Sequence, residues 1–401
     1  MIAPADRTDP KVFGWCPGAL RPMMSGDGLV VRIRAPLGRL TQDQARGLAQ
    51  LSQRCGSGVI DISARANLQL RGIREDAYEA LIAGLRDLEL VDTDPTAEAR
   101  RNITLTPFWQ SGDDSHRIAK DLTTALTKAT DLALPGKFGV AIDCGPAPVL
   151  CQTAADIRIE RTADGLLLRA DGATRGMLVS ADNAATETLA LARWFLDQDG
   201  APAGRGRMRQ LIERRGPPSA HVASGGTAAQ YAQRPTPGPV SSLIPSLEGG
   251  ALLIALEFGQ MPASSLAELA DHGALRLTPW RMLLVEGVTS VPALPGLIPD
   301  ATDSRLRVSA CTGAPGCQQA RAITRDLARD LAAAVPVGKH LHVSGCTKGC
   351  AHPHPADLVL TATDHDRFDL IHDGTAADHP LNTSLSARTL RATPDLMTEG
   401  S

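Results

Sequence analysis

The sequence predicts an α+β protein built twice over, with two small strand-helix-strand modules, each followed by a larger module that mixes strands and helices. Three observations predict this. An order of Val/Ile-rich strand, helix and second apolar segment occurs near the start and again past the middle. A Pro/Gly/Ser-rich stretch at 234–246 (RPTPGPVSSLIPS) separates the two occurrences. The 401 residues are also two to three times the usual domain size of roughly 100–150 residues, so more than one core is expected.

In chain order, GLVVRIRA at 28–35 reads as a strand, because Val and Ile favour a pleated surface. TQDQARGLAQLSQR at 41–54 reads as a helix with Thr41 as its N-cap, and GVIDIS at 58–63 as a second strand. Past the Pro-rich stretch the order recurs: ALLIALEF at 251–258 as strand, PASSLAELADHG at 262–273 as helix, then the apolar ALRLTPWRMLLVEGV at 274–288. Placing Gly38 over Gly259 and Gly72 over Gly287 aligns the copies with a short gap. After the first copy come ADIRIERT, GLLLRADG and the helix-like NAATETLALARWFLDQ; after the second come a cysteine region, DLVLTATD and DRFDLIHDG. The expected modules are 12–90, 91–232, 238–295 and 300–401.

Lys+Arg 41 against Asp+Glu 44 gives a formal charge of -3, which supplies no global field to attract nucleic acid, so an anionic ligand must be met by local clusters. One such cluster is GRGRMRQLIERRG at 204–216, which reads either as a solvated helix face or as a contact for an anion. MIAPADRTDP lacks the pattern of a secretory leader, and no apolar run approaches the roughly 18 residues of a membrane span. The expected compartment is the cytoplasm, where closely spaced cysteines are metal ligands or catalytic thiols rather than disulfides.

Four of the eight cysteines are closely spaced. Cys311 and Cys317 bracket Thr-Gly-Ala-Pro-Gly, whose glycines and proline allow a tight loop that brings both sulfurs to one centre. The run QQARAITRDLARDLAAAV then shows helical spacing at Ile323, Leu327 and Leu331, and HLHVSG reads as a strand leading to Cys346 and Cys350. That second pair stands four apart, so one helical turn would place both thiolates on one face. Four thiolates from two turns suit a [4Fe–4S] cluster, one sulfur per iron. Zinc is the competitor, but the six-position step from Cys311 to Cys317 exceeds its usual ligand spacing. Cys16, Cys55, Cys144 and Cys151 are scattered and read mostly as packing residues.

This pattern, Cys-x5-Cys, a helix, then Cys-x3-Cys, resembles the sulfite and nitrite reductase superfamily over nearly the whole chain. The resemblance implies a duplicated fold of two ferredoxin-like half-domains and two larger α/β domains, carrying a [4Fe–4S] cluster beside a sirohaem. It would make Cys350 the bridge between cluster and haem iron. SARANLQLRGI matches a haem-contacting segment of that family through Arg65, Gln69 and Gly72, with Arg71 where the family has histidine, and RRNITLTP matches a following Arg-Asn pair through Arg101 and Asn102. Sulfite reductases present two lysines as Lys-x-Lys; LPGKFGVAID keeps Lys137 but has Gly139 at the second place. Loss of that cation would cost several kcal/mol of transition-state stabilisation, about 3–4 by analogy with a lost oxyanion donor.

WCPGALRPMMSGDGLVVRIRAPLG at 15–38, LRLTPWR at 275–281 and VSGCTKGCAHPHPADL at 343–358 resemble one branch in particular, the precorrin-3B synthases of aerobic cobalamin biosynthesis. That resemblance implies a monooxygenase that takes precorrin-3A and dioxygen, inserts oxygen at the meso carbon between rings A and D, and closes a lactone with the ring A acetate. Dioxygen needs single electrons and a metal with an open position. The cluster can feed the electrons, and the sequence leaves open whether sirohaem, a mononuclear non-haem iron or neither accompanies it. His352, His354 and Asp357 suit the mononuclear iron, although His-Pro-His-Pro reads equally as a stiffened exposed loop; His340 and His342 read as structural. A polycarboxylate substrate calls for arginine forks. Arg65, Arg71, Arg101, Asn102 and Lys137 are the substrate-binding candidates, Lys137 and Arg65 also the catalytic ones. Aromatic residues are 3% of the chain, so Trp109 and Trp280 stand out as stacking surfaces, with core packing as the alternative. GRGRMR lacks the third glycine of a dinucleotide fingerprint, so an external reductase is the expected electron donor. The competing readings are a sirohaem-dependent sulfite or nitrite reductase and a noncatalytic iron-sulfur carrier or tetrapyrrole-binding protein.

Overall fold

The computed structural model describes residues 17–218, 231–234 and 245–398; Cys16, the N-terminal segment and most of the 234–246 stretch lie outside the described residues. The strand-helix-strand copies fold as expected from their patterns. Met23–Ser25 (β1) and Gly28–Ile33 (β2) form a hairpin, Arg39–Leu40 (β3) leads to helix Gln42–Cys55 (α1), and Val59–Ile62 (β4), Leu68–Ile73 (β5) and Tyr78–Asp87 (α2) follow. Thr41 caps α1 through a capping box: its hydroxyl accepts from Gln44 N while the Gln44 side chain accepts from Thr41 N. α1 buries Ala45, Leu48, Ala49, Ser52 and Cys55, one stripe at helical spacing.

The larger module begins with Pro95–Arg100 (α3), Ile103–Leu105 (β6), Asp114–Lys128 (α4) and Val140–Asp143 (β7). It continues through Ile157–Thr162 (β8), Gly165–Ala170 (β9), Arg175–Val179 (β10), Ala184–Asp197 (α5), Met208–Arg215 (α6) and Tyr231–Gln233 (β11). The second copy comprises Ser246–Glu248 (β12), Ala251–Leu256 (β13), Gln260–Pro262 (β14), Ala263–His272 (α7), Leu275–Leu277 (β15), Met282–Glu286 (β16) and Leu297–Ile298 (β17). The apolar stretch at 274–288 is thus a hairpin. Last come Val308–Ala310 (β18), Arg325–Leu331 (α8), Leu341–Ser344 (β19), Ala356–Asp364 (β20), Arg367–Gly374 (β21), Asn382–Ser386 (β22) and Ala387–Ala392 (α9).

The duplication is visible in sheet order. The small modules form sheets β1-β2-β5-β4-β14 and β12-β13-β16-β15-β3, so each lends its short strand to the edge of the other's sheet. Met261 pairs with Ile60, and Leu40 with Leu275. Helices α1 and α7 pack together, and one core holds Leu48, Ile60 and Leu70 with Leu266, Leu269 and Val285. Burying each such side chain contributes about 1.5–3 kcal/mol. The larger modules repeat as well: β6-β7-β8-β9-β10 and β18-β19-β20-β21-β22 share two parallel steps followed by two antiparallel ones.

Matching backbone turns support the alignment. Leu37 and Phe258 both have φ 54°, and the glycines after them, Gly38 and Gly259, have φ 65° and 75°. Ala66 and Arg281, each six residues before an aligned glycine, have φ 53° and 61°. Ser63 Oγ accepts from the backbone N–H of Arg65 and Asn67; Thr278 Oγ1 accepts from those of Trp280 and Met282. One carboxylate ties three modules: Glu286 receives Arg39 at 2.8 and 2.7 Å and Arg276 at 2.6 Å, while Arg276 also reaches the carbonyls of Pro107 and Trp109. Hydrogen bonds from Arg39, joined by those from Arg276, hold the Glu286 carboxyl down at about 2. Among the described residues no helix is long and apolar enough to cross a membrane.

Candidate metal centre and its surroundings

The four clustered cysteines lie just beyond the carboxyl ends of parallel strands β18 and β19, the end of an open α/β sheet where ligand sites form. Cys311 follows β18 directly, its N–H bound to Val343 O at 3.2 Å. Gly345 N donates to Cys311 Sγ at 3.0 Å, tying the first cysteine to the turn that bears the second pair. A Cβ on Gly345 would sit 2.7 Å from that of Ala320, so only glycine lets the loops close. The 311–317 loop is drawn in by Cys317 N to Gly313 O at 2.8 Å and by Thr324 Oγ1 to Cys311 O at 2.7 Å. The segment from Cys346 to Cys350 is not the helical turn its spacing suggests: it is a bend and turn that closes through Gly349 at φ 60°. Ile323 likewise leaves the apolar stripe of α8 and is 49% exposed.

The thiols converge closely enough to feel one another. Burial pushes the Cys346 thiol up, and thiolates at Cys311 and Cys317 add to the shift. The Cys350 thiol is raised first by loss of solvation, an effect that Lys348 opposes and that Cys346, Cys311 and Cys317 reinforce. Like charges of this kind become bearable when a metal neutralises them. Among the described residues no three of His, Cys, Asp and Glu stand close enough to clasp one metal ion. Four sulfur donors on two joined loops are the donor set of an iron-sulfur cluster, which takes one sulfur per iron.

Each small module sends an arginine to this cradle. Arg71, 5% exposed, binds Asp27 through Nε and Nη2 at 3.0 Å each and donates to Gly316 O at 2.6 Å, inside the first cysteine loop. Ser25 Oγ donates to the same carbonyl, and Gly26 presses so close that a Cβ there would lie 1.9 Å from Pro315 O. Arg281 donates to Ala351 O at 2.9 Å, just past Cys350. Arg281 was not among the candidates that residue type and spacing offered; its signal was the alignment with Ala66 and the left-handed backbone that both share.

The other candidates gather elsewhere. Arg65 Nη1 donates to Lys137 O at 2.8 Å, and Asn102 Nδ2 to Phe138 O at 2.9 Å, so Arg65, Asn102 and Lys137 surround Gly139. A Cβ on Gly139 would meet Asn102 Nδ2 at 2.7 Å and Arg65 Nη1 at 3.4 Å. The seat of the second lysine is filled. Lys137 is exposed. Arg101 turns away from Lys137 to grip Asp92 with two bonds of 2.8 Å and Arg34 O at 2.9 Å.

The histidine-carboxylate trio does not assemble. Asp357 pairs with Lys339 at 3.0 Å and accepts from His340 N at 2.8 Å. His352 instead stacks against His340 and His342, centroids 4.8 and 5.9 Å apart. His340 binds Ser309 Oγ through Nε2, whereas His342 is fully buried and neither ring nitrogen has a partner. Burial holds His340 down to about 4 and His342 to about 3, so both are neutral imidazoles. Of the two candidate stacking surfaces, Trp109 is a core residue, buried between His116 and the Arg276 guanidinium, whereas Trp280 is half-buried and packs on Phe108.

Fold and thiol site together define a redox protein of the duplicated nitrite and sulfite reductase type. Residues 21–88 match the family described as the nitrite/sulfite reductase ferredoxin-like half domain. A precorrin-3B synthase of Sinorhizobium sp. is 30% identical, with 92% of this chain and 84% of that protein covered. A ferredoxin–nitrite reductase of Leptolyngbya laminosa is 25% identical over 87% of this chain and 79% of its own. The NirA protein structure of Mycobacterium tuberculosis superposes with a TM-score of 0.67 at 20% identity, covering 92% of this chain and 79% of that one. The chain belongs to the precorrin-3B synthase family.

Proposed function

We propose that the chain converts precorrin-3A to precorrin-3B as an oxygen-dependent monooxygenase with a [4Fe–4S] cluster on Cys311, Cys317, Cys346 and Cys350. The observation that supports the reading is the placing of these four cysteines on two loops, which the Gly345 N–H bond to Cys311 Sγ joins and which Arg71 and Arg281 tie to the two repeats. When bound, the cluster supplies electrons one at a time, which ground-state dioxygen requires. In the balanced reaction dioxygen takes up two electrons and two protons. One oxygen atom enters the meso carbon between rings A and D, the other leaves as water, and the ring A acetate closes the lactone. Electrons come from an external reductase, and the setting is the cytoplasm, where thiols stay reduced.

The residues of the chain bind and orient. Arg65, anchored on Lys137 O, fixes the loop that presents the Lys137 ammonium, and both cations face the carboxylates of the substrate. Arg71 keeps its internal bonds to Asp27 and Gly316 O and so acts on the substrate through the position of the cysteine loop; Arg101 and Asn102 hold the wall behind Gly139. Asp357 being engaged by Lys339, the mononuclear iron site is withdrawn from this reading. The alternative of a sirohaem-dependent sulfite reductase fits less well, because Asn102 fills the place of the second lysine.

Anaerobically purified protein is expected to contain iron and inorganic sulfide, and Cys346→Ser to lose both. Given precorrin-3A, dioxygen and a reductant, the loaded protein is expected to yield a product heavier by one oxygen atom. Unchanged substrate mass, with the cluster intact and the reductant competent, would end this reading.

A further inference from the structure

The basic segment at 204–216 has no part in the reading above, yet its first turn faces a cleft of about 730 Å³. Arg207 and Arg209 line it with Gln152, Arg158 and Asp171, and His354 closes it from the side of the cysteine turn, four residues beyond Cys350. The volume lies in the range of small-molecule sites, roughly 300–1,000 Å³. The cleft thus joins the first larger module to the loop that carries the last thiol.

The charges are held for use. Arg158 is buried and spends its donors on Asp171, Leu150 O and Thr153 O, so it is framework. Among the described residues Arg209 is fixed only through Nε, at 3.0 Å from Asp171, and its side chain is 59% exposed. Arg207 is fixed through Nε to Asp156 at 2.9 Å and through Nη2 to Ala155 O, with 30% of its side chain exposed. An aspartate behind each Nε orients the fork and leaves terminal N–H groups for a second carboxylate, the paired geometry that arginine favours. Asp156, itself buried, also accepts from Gly139 N at 3.0 Å and Met208 N at 2.9 Å. The cleft and the Lys137 loop are therefore linked through one buried carboxylate, which holds Arg207 on one side and Gly139 on the other.

We infer that this cleft binds the carboxylate-bearing edge of a polycarboxylate macrocycle, with Arg209 and Arg207 as its forks and His354 at the edge nearest the cysteine turn. The inference rests on the precorrin reading and adds its docking site. Anaerobic titration of the cluster-loaded protein with precorrin-3A, without reductant, reads binding alone. Arg209→Ala is expected to weaken Kd about tenfold, as loss of one charged fork would. Arg209→Lys should recover part of the loss, because it keeps the charge without the fork. Arg193→Ala, which removes another exposed arginine, on helix α5 and paired with Asp131, should bind like the wild type. Iron content and melting temperature should stay unchanged in all three. Wild-type affinity in Arg209→Ala, or an equal loss in Arg193→Ala, would overturn the site. Failure of iron-loaded wild type to bind precorrin-3A at all would overturn the substrate reading itself.

Discussion

Gly139 and Asp143 lie four residues apart and show how a single position can decide chemistry. A lysine at 139 would have to displace Asn102, whose amide and backbone oxygen stand 2.7 and 3.1 Å from the new Cβ. Gly139→Lys is therefore expected to destabilise by about 1–3 kcal/mol, the usual cost of overpacking, without bringing sulfite reduction. Thermal unfolding and sulfide production check both parts. Asp143 accepts from Val149 N and Leu150 N at 2.7 Å each, but its Oδ1 is buried without a partner. Burial pushes its carboxyl from 3.8 to about 6. The folded state thus holds the proton more tightly than the unfolded chain, and stability present at low pH is lost as pH rises from about 4 through 6. Asp143→Asn should remove that loss. The stability difference between variant and wild type should shift by about 2 kcal/mol in favour of the variant between pH 4 and pH 7; a flat difference in denaturant melts across that range would contradict the burial argument.

At the scale of elements, the same turn is used twice to different ends. A hydroxyl at Ser63 or Thr278 ties down two N–H groups, and the left-handed residue three positions on, Ala66 or Arg281, closes the hairpin. The first copy thereby aims Arg65 at the Lys137 loop, and the second aims Arg281 at Ala351. Thr278 is fully buried and also donates to Met282 O, whereas Ser63 is half-buried. Thr278→Val should cost about 1–3 kcal/mol, the penalty of orphaned buried groups. Ser63→Ala should cost less than half of that, since water can replace its hydroxyl. Chemical denaturation of the two variants compares them directly, and equal losses would mean that burial does not set the penalty.

Across the whole molecule, the exchange of β3 and β14 makes the two repeats one folding unit. Sheet β1-β2-β5-β4 ends on a strand of the second copy, and α1 is covered by α7. A chain cut after residue 232 would expose the β4 edge and the apolar face that Leu266 and Leu269 cover. Such a half is expected to show no cooperative melt, whereas the full chain melts the fused core in one step. A sharp transition in the isolated half, followed by circular dichroism, would show the exchange to be dispensable.

Fold class and the repeat were legible because each leaves a local signature: alternating or helical periodicity and paired glycines. Thr41 as cap and Gly259 opposite Gly38 could be read from a few adjacent residues. What the arginines do could not, because a guanidinium takes whichever carbonyl or carboxylate packing brings near. Arg71 finds Gly316 across 245 positions, and Arg281 finds Ala351 across 70. The cleft between Arg209 and His354 is likewise assembled from segments far apart in the chain. Periodicity and ligand type are thus properties of the sequence itself, while the partner of each charge and the filled seat beside Gly139 were decided only when distant strands met.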